Sequence, residues 1–446
     1  MEKNLTTGSV FKNLIFFSLP YLLSYFLQTL YGMADLFIIG QFENVAATTA
    51  VSIGSQIMHM LTVMIVGLAM GTTVSIGKAV GKGDHERVSK VAGNTITLFL
   101  VVSALLTVIL LLLVRPITAV MDTPDEAVSG TVGYLMVCFI GIPFITAYNI
   151  ISSIFRGMGD SKSPMYFISV ACVSNIILDY IFIGAMHLGP VGAALGTTLS
   201  QAISVVISLV VIISRKSLVI RKDDIKPNRL VTSKILGIGV PIALQDGFIQ
   251  ISFIIITIIA NSRGLTDAAA VGIVEKIIGF VFLVPSSMLS AVSAIGAQNI
   301  GADKPKRAIS TLRYAIFICV CFGAAVAVAV QFVSSPLVSL FTDDAAVAIS
   351  GGRYLRGYIW DCFFAGIQFC FSGYFCAIGK SGLSFLHNFI SICCIRIPGA
   401  YFTSLYYPGT LFPMGLASAA GSLVSSVVCV IAFAILNRMK NKSYAE

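Results

Sequence analysis

Long apolar stretches separated by short polar segments dominate the chain. A helix of about 20 residues crosses a bilayer, so apolar stretches of roughly 18 or more are candidate spans. We predict about twelve spans in two groups of six. The first six are 14–39, 46–72, 88–114, 128–155, 163–186 and 190–214. The second six are 231–260, 267–297, 309–333, 345–377, 383–406 and 411–436. The predicted fold class is an all-α integral membrane protein.

The composition supports this prediction. Apolar residues make up 57% of the 446 residues and charged residues only 11%, whereas about 25% is usual in soluble domains. So few charges exclude a soluble enzyme, a disordered chain, a nucleic-acid-binding protein and a secreted disulfide scaffold. The ten cysteines lie mostly in apolar runs without C-x-x-C spacing, which favours packing over metal binding. The lipid bilayer is the expected partner of most of this surface.

The basic residues indicate the orientation of the spans, because cytoplasmic loops are enriched in Lys and Arg. Lys276 and Arg396 fall within spans. The arginines of the outer loops are Arg115, Arg263, Arg353 and Arg356. The rest of the 29 basic residues fall on the side of the two termini. We therefore expect a multi-pass protein of the cell membrane with both termini in the cytoplasm.

The two halves of the chain resemble each other at a shift of about 220 residues, the kind of internal similarity that marks a repeat. Pro20 corresponds to Pro241, and Tyr134 to Tyr354. Six spans per half give both copies the same direction, so the repeat is parallel. We predict two six-helix lobes, 1–220 and 221–446. Such duplication is typical of transporters that alternate access around a site at the membrane midplane.

Polar side chains in the first half form stripes on three predicted helices. Gln28, Tyr31 and Asp35 share one face of the first span, and Asn175 and Asp179 lie four apart on the fifth. Thr197, Gln201 and Ser204 form a third stripe, on the sixth span. At about 1.5 Å per residue, all three lie ~6–11 Å below the outer edge. Ionisable residues inside a membrane cost about 2.5–3.5 kcal/mol each and are functional candidates. We predict that the stripes converge on a proton or cation site, although helix-tying hydrogen bonds would explain them too.

The second half carries three further membrane acids, Asp246, Glu275 and Asp361. Arg396 and Lys276 are candidates to neutralise two of them. Two interpretations remain open, namely charge pairs that fix helix packing and a substrate site. The candidate substrate or second-lobe residues are Gln28, Tyr31, Asp246, Glu275, Trp360, Asp361, Gln368 and Arg396. Trp360 is included because an indole ring can stack on an aromatic cation.

Four sequence motifs together resemble the multidrug and toxic compound extrusion (MATE) family over nearly the whole chain. The motifs are Pro20 through Asp35 with Ile39-Gly40, Gly67 through Asp84, Arg156-Gly-Met-Gly-Asp160, and Gly296-Ala-Gln-Asn-Ile-Gly301-Ala-Asp303. The resemblance implies two six-helix lobes and cation-coupled export of cationic or amphipathic drug-like compounds. It implies a secondary antiporter that exchanges its substrate for H⁺ or Na⁺, with no other cofactor. We expect a monomer.

The resemblance also assigns the coupling site. In archaeal and DinF-like members an Asp, an Asn and Asp four apart, and a Thr form the cation site, and these positions match Asp35, Asn175, Asp179 and Thr197. If the ion is Na⁺, the same four residues are its metal ligands. The NorM branch has two acids in the second half where this chain has Ile249 and Ala365. The chain is therefore expected to be closer to the DinF-like pattern than to NorM.

Two other functions are alternatives. A flippase for lipid-linked oligosaccharides belongs to the same superfamily, but several cavity arginines are typical of it, and Arg396 is the one arginine deep in a predicted span. An intramembrane enzyme would need paired catalytic groups, and the four histidines show no such spacing. We predict a transporter and not an enzyme.

Overall fold

The computed structural model describes residues 4–215 and 220–442. The fold is helical throughout this part of the chain, with 88% helix and no strand. The helices of the first half are α1 (Val10–Phe42), α2 (Val45–Lys82), α3 (His85–Val120), α4 (Asp125–Ile140), α5 (Ile142–Gly157), α6 (Lys162–Asp179) and α7 (Gly189–Arg215). A π-helical turn, Tyr180–Ala185, continues α6.

The second half has the same all-helical character. Its helices are α8 (Arg229–Asn261), α9 (Leu265–Val281), α10 (Leu283–Gly301), α11 (Pro305–Ser339), α12 (Ala345–Tyr358), α13 (Trp360–Ile378), α14 (Ser381–Ile390), α15 (Ile397–Tyr406) and α16 (Phe412–Lys442). A second π-helical turn, Ser391–Arg396, joins α14 to α15. Both π-helical turns therefore fall in the fifth predicted span of their half.

Eleven helical segments of the described residues are long and apolar enough to cross a membrane, and the pair α4 and α5 makes a twelfth. The two helices of this pair meet at an angle of 48°. Pro143 lies in the first turn of α5, where its fixed backbone angle suits a helix start. The prediction of about twelve spans is confirmed, but the span predicted as one helix over 128–155 is broken at Gly141.

The described residues divide into two compact units. Unit 1 lies within Met1–Gly8, Ile15–Ala243 and Ala297–Asp303, and unit 2 within Ser9–Leu14, Leu244–Gly296 and Lys304–Glu446. The predicted lobe boundary at residue 220 stays a prediction, because the units are defined by compactness and not by the repeat.

In unit 1, glycines bring the helices that carry the site into close contact. A Cβ atom at Gly54 of α2 would overlap the ring of Tyr134 on α4, so only glycine fits there. Phe155 of α5 and Phe167 of α6 pack edge to face, with ring centroids 5.6 Å apart. These contacts belong to two apolar clusters of unit 1, and such close packing fixes the rotation of the helices involved, which include α6 with its polar stripe.

In unit 2, α12 and α16 touch through glycine on both sides. A Cβ at Gly357 would overlap the carbonyl oxygen of Phe412, and a Cβ at Gly415 would overlap that of Tyr354. Such backbone contact is typical of small-residue interfaces in membranes. It fixes the relative position of the polar side chains that α12 and α16 carry nearby, which include Tyr358 and Ser422.

Candidate functional site: a buried acidic pair in unit 1

Asp35 lies on α1 and is buried, with 2% of its surface exposed. Its Oδ2 atom accepts a hydrogen bond from the Thr197 hydroxyl on α7 at 3.1 Å. These two residues are 162 positions apart in sequence, so the contact is a product of the tertiary fold. It joins the first and third of the predicted polar stripes.

The second stripe completes the site. Asn175 and Asp179 of α6 are fully buried, and both side chains adjoin the Asp35 carboxyl group. Asp179 is the last residue of α6 before the π-helical turn Tyr180–Ala185. Turns of this kind are frequent at functional sites, because the extra residue re-aims neighbouring groups. The structure thus brings together all four residues predicted for the coupling site.

Gly196 packs against the carboxyl group of Asp179 from α7. A Cβ atom at this position would overlap Asp179 Oδ1, and it would lie 3.6 Å from the Asn175 amide nitrogen. No side chain fits here without displacing Asp179. The sequence contains a signal for this contact, because Gly192 and Gly196 repeat at a four-residue spacing. That spacing indicates close helix approach, but not which residue is approached.

The site holds an unusual number of polar atoms that make no hydrogen bond. Asp35 Oδ1, both oxygens of Asp179 and both terminal atoms of the Asn175 amide have no partner at hydrogen-bonding distance and angle. The side-chain oxygen of Gln201, on the same face of α7 as Thr197, is also unpartnered. Two carboxylates buried together are strongly unfavourable when the Thr197 hydroxyl is the one donor that the described residues supply to them. The arrangement therefore suits a proton or a small hard cation, which would satisfy the oxygens.

Other residues border the site without being part of it. Tyr31 is half-buried one turn before Asp35 and interacts electrostatically with it, as do Tyr134 and Cys138 of α4. Sequence analysis missed the last two, because nothing in their spacing links them to Asp35. Ser204, predicted as part of the α7 stripe, donates instead to the backbone oxygen of Phe167 at 2.9 Å. Its role is to join α7 to α6.

Unit 2 contains a second buried group of charges. Arg396 Nη1 lies 3.9 Å from Asp361 Oδ2, and Nη2 donates a hydrogen bond to the Tyr358 hydroxyl. Glu275 is nearby and interacts electrostatically with Arg396, but it accepts its hydrogen bond from Thr257, at 3.3 Å. Of the three membrane acids in the second half, Asp361 is the one within ion-pair distance of Arg396.

The remaining second-half candidates are dispersed around this group. Gln368 is buried and donates to the Ser422 hydroxyl at 2.9 Å, and Asp246 is half-buried beside Gln245. Lys276 is exposed, so its predicted part in neutralising an acid is not supported. Trp360 is 36% exposed whereas its neighbour Asp361 is fully buried. The two side chains point to different faces of the helix, and a role of Trp360 in substrate binding stays a prediction.

The types of side chain present limit which metal ions the protein could bind. In the described ranges, no group of three or more His, Cys, Asp or Glu side chains could hold a metal ion. A cation at the unit 1 site would bind two carboxylates and complete its shell with the oxygens of Asn175 and Thr197. Oxygen ligands of this kind suit hard cations and not transition metals.

Comparison with known proteins places the chain in a family. The sequence model of the MatE family matches twice, over residues 20–181 and 241–402. The chain therefore belongs to the MatE family of transporters, as its motifs indicated. The double match also confirms the predicted parallel repeat.

Relatives and solved structures cover nearly the whole chain. "Probable multidrug resistance protein YoeA" of Bacillus subtilis is 26% identical over 89% of this chain and 88% of its own. "Probable multidrug resistance protein NorM" of Thermotoga maritima is 25% identical, covering 94% and 89%. An outward-facing multidrug resistance MATE transporter of the MOP superfamily aligns with a TM-score of 0.90 at 22% identity, covering 98% and 97%. A MATE protein in the bent conformation gives 0.92 at 22% identity, covering 99% and 98%. The fold is thus that of MATE transporters.

Proposed function

We propose that the protein exports cationic or amphipathic drug-like compounds across the cell membrane in exchange for H⁺ or Na⁺. The observation that carries this proposal is the pair of buried carboxyl groups, Asp35 and Asp179, with three oxygens that make no hydrogen bond. Relatives named as multidrug resistance and multidrug export proteins support the substrate class. The MOP-superfamily flippase has no comparable support from these relatives.

The proposed coupling ion binds between Asp35, Asn175, Asp179 and Thr197. When the ion is absent, the two carboxylates repel each other in a dry environment, and this conformation is disfavoured. Binding of H⁺ or Na⁺ removes the repulsion and satisfies the free oxygens. The ion therefore stabilises one arrangement of α1, α6 and α7 over another, which is the differential binding that a conformational transition requires.

In this proposal Asp35 carries the ion, and the other three residues set its affinity. Asp35 is the member that connects two helices directly, through its bond to Thr197. Asp179 lies against Gly196 and has no hydrogen bond of its own, so it acts by its charge. This assignment places ion coupling in unit 1, in agreement with the DinF-like pattern.

The test is substrate efflux from proteoliposomes with proton and Na⁺ gradients imposed separately. Asp35→Asn preserves size and hydrogen bonding but cannot ionise. We expect it to reduce gradient-driven efflux to the level of empty liposomes while the protein stays folded and still binds the substrate. Asp343→Asn is the matched control, because Asp343 is exposed, and it should transport like the wild type. Normal efflux by a folded Asp35→Asn protein would refute the proposal.

A further inference from the structure

The repeat shows what unit 2 has in place of the acidic site. The two family matches, 20–181 and 241–402, have the same length and are offset by 221 residues. At the same offset, Asp35 corresponds to Ile256 and Asp179 to Ala400. Both residues of unit 2 are apolar and buried. Unit 2 has therefore no acid at either acidic position of the unit 1 site.

A third position of the site lies within the matched ranges and is polar in unit 2. At the same offset, Asn175 corresponds to Arg396. A neutral amide that adjoins the acidic pair in unit 1 is thus replaced by a guanidinium group in unit 2. The acid that faces this guanidinium, Asp361, comes from α13, an element that contributes no residue to the site by this correspondence. Unit 2 places a permanent positive charge at a position that in unit 1 borders the proposed cation.

Arg396 is held in place from several sides. It is 7% exposed and ends the π-helical turn Ser391–Arg396. Its guanidinium carbon lies 4.9 Å from the ring centroid of Phe253 and 5.5 Å from that of Tyr358. Behind it, a Cβ at Gly421 would lie 3.2 Å from the Arg396 Cβ. Aromatic faces and a hydroxyl acceptor stabilise the cation, so the guanidinium is fixed.

The negative charge of Asp361 depends on the Arg396 guanidinium. It is fully buried, and neither of its oxygens makes a hydrogen bond within the described part of the chain. The charged and titratable groups around it are Arg396, Glu275, Tyr354, Tyr358 and Cys362, and the Ser422 hydroxyl adjoins it. Of these, Arg396 is the permanent cation. A buried carboxylate without hydrogen-bond donors needs either a proton or a nearby positive charge, and Arg396 supplies the charge.

We propose that Arg396 is a tethered substitute for the coupling cation at the unit 2 counterpart of the acidic site. Its guanidinium keeps Asp361 ionised through the transport cycle, so this carboxyl neither takes up nor releases a proton. Arg396 is then a specificity-determining residue that limits the number of ions exchanged. The permanent ionisation of Asp361 does not depend on the proposed function, whereas its consequence for ion exchange rests on that function.

The test reads the protonation of Asp361 directly in the purified full-length protein in lipid. Infrared spectra recorded at acidic and at alkaline pH resolve the C=O stretch of protonated carboxyl groups at each pH. Asp361→Asn in the native background should leave this signal unchanged, because Asp361 holds no proton in the wild type. Arg396→Gln should add the signal of one protonated carboxyl per protein, and Arg396→Gln with Asp361→Asn should remove it again. Arg396→Lys keeps the charge and should match the wild type.

Two results would overturn the proposal. One is a protonated-carboxyl signal of the wild type that disappears in Asp361→Asn, since Asp361 would then carry a proton beside Arg396. The other is a folded Arg396→Gln protein with no added signal at any pH. If a single variant fails to fold, the double variant, which leaves neither charge buried, still decides whether the wild type contains a protonated Asp361. Repeating the series with Glu275→Gln separates the contribution of Glu275.

This experiment is independent of transport. Failure of the proposed function would show as normal efflux by Asp35→Asn, whereas failure of the tethered-cation proposal shows as a change in the carboxyl signal at Asp361. The two outcomes involve different units and different measurements.

Discussion

At the residue scale, two adjacent threonines of α7 differ in what their hydroxyl groups contact. Thr197 donates to Asp35, whereas the Thr198 hydroxyl is buried and makes no hydrogen bond. Valine has nearly the same shape as threonine and lacks the hydroxyl. The change of threonine to valine can therefore be made at position 197, inside the site, and at position 198, directly beside it.

Thr197→Val should alter the ion dependence of efflux and identify the ion. A lost hydrogen bond of this kind is worth about 1.5–3 kcal/mol when its acceptor is charged, or roughly tenfold or more in affinity. If the ion is H⁺, the ionised form of Asp35 loses a donor, so half-maximal efflux requires fewer protons. If the ion is Na⁺, the site loses a ligand oxygen, so more Na⁺ is required. Efflux rates measured over a series of H⁺ concentrations and over a series of Na⁺ concentrations show which ion is coupled to export.

Thr198→Val is the control for this experiment and should leave both ion dependences unchanged. An unaltered ion dependence in Thr197→Val would show that its contact with Asp35 has no part in coupling. Equal shifts in the two variants would instead indicate a general effect on the packing of α7.

At the element scale, α3 forms hydrogen bonds to the segment 221–228, which leads into α8. The Asn94 side chain donates to the backbone oxygen of Asp224 at 3.0 Å and accepts from the backbone nitrogen of Asn228 at 2.6 Å. Thr97, one turn further on, donates to the backbone oxygen of Ile225 at 2.6 Å. Asn228 in turn caps α8, because its side chain accepts from the backbone nitrogen of Leu230. A single buried amide thus organises the start of α8.

Asn94→Ala should release this segment, because two backbone groups lose their partner. The expected cost is about 0.5–1.5 kcal/mol for each hydrogen bond lost, because Asp224 and Asn228 are half-buried and water can reach their backbone groups. Arg221 and Lys222 are exposed within the segment, so limited trypsin digestion with mass analysis of the fragments measures its opening. We expect several-fold faster cleavage after these two residues.

Asn149→Ala is the matched control, since Asn149 is also buried but donates to Ile145 of its own helix. It should not change cleavage in the segment. Equal cleavage of the wild type and Asn94→Ala would mean that the segment is held by other contacts.

At the scale of the whole molecule, orientation in the membrane is the main prediction. Thr123 follows α3, and Glu86 lies at its start. A helix of 36 residues is about 54 Å long, well beyond the ~30 Å of the hydrocarbon core. The two positions therefore lie on opposite sides of the membrane, and the distribution of basic residues places Thr123 outside.

A cysteine at position 123, on a background without the ten native cysteines, should react with an impermeant thiol reagent added to intact cells. A cysteine at position 86 should react only after the membrane is permeabilised. The reverse pattern would invert the predicted topology, and labelling of both in intact cells would contradict a spanning α3.

Much of this architecture could be predicted from local features of the sequence. The spans follow from composition over about 20 residues, because lipid demands apolar surface and internally satisfied backbone at every depth. The repeat follows from matching positions in the two halves. The three polar stripes of unit 1 were also predicted, since ionisable residues inside a membrane are rare and helical spacing shows which polar residues share a face. The resemblance to the MATE family then selected the four residues of the site. Their role in coupling stays a proposal.

The break between α4 and α5 was not predicted in the span 128–155. Hydropathy averages over a window and is insensitive to a bend at one residue. The structure shows that Pro143 lies in the first turn of α5, just after this bend.

The sequence by itself determined that this is a two-fold repeated membrane protein with an acidic stripe on α1 facing polar stripes on α6 and α7. Only the tertiary structure decided which atoms meet. It placed Gly196 against Asp179, paired Arg396 with Asp361, and turned Trp360 away from its buried neighbour. The physical reason is that hydropathy and helical spacing are local properties, whereas the rotation of each helix is fixed by close packing with residues far away in the chain.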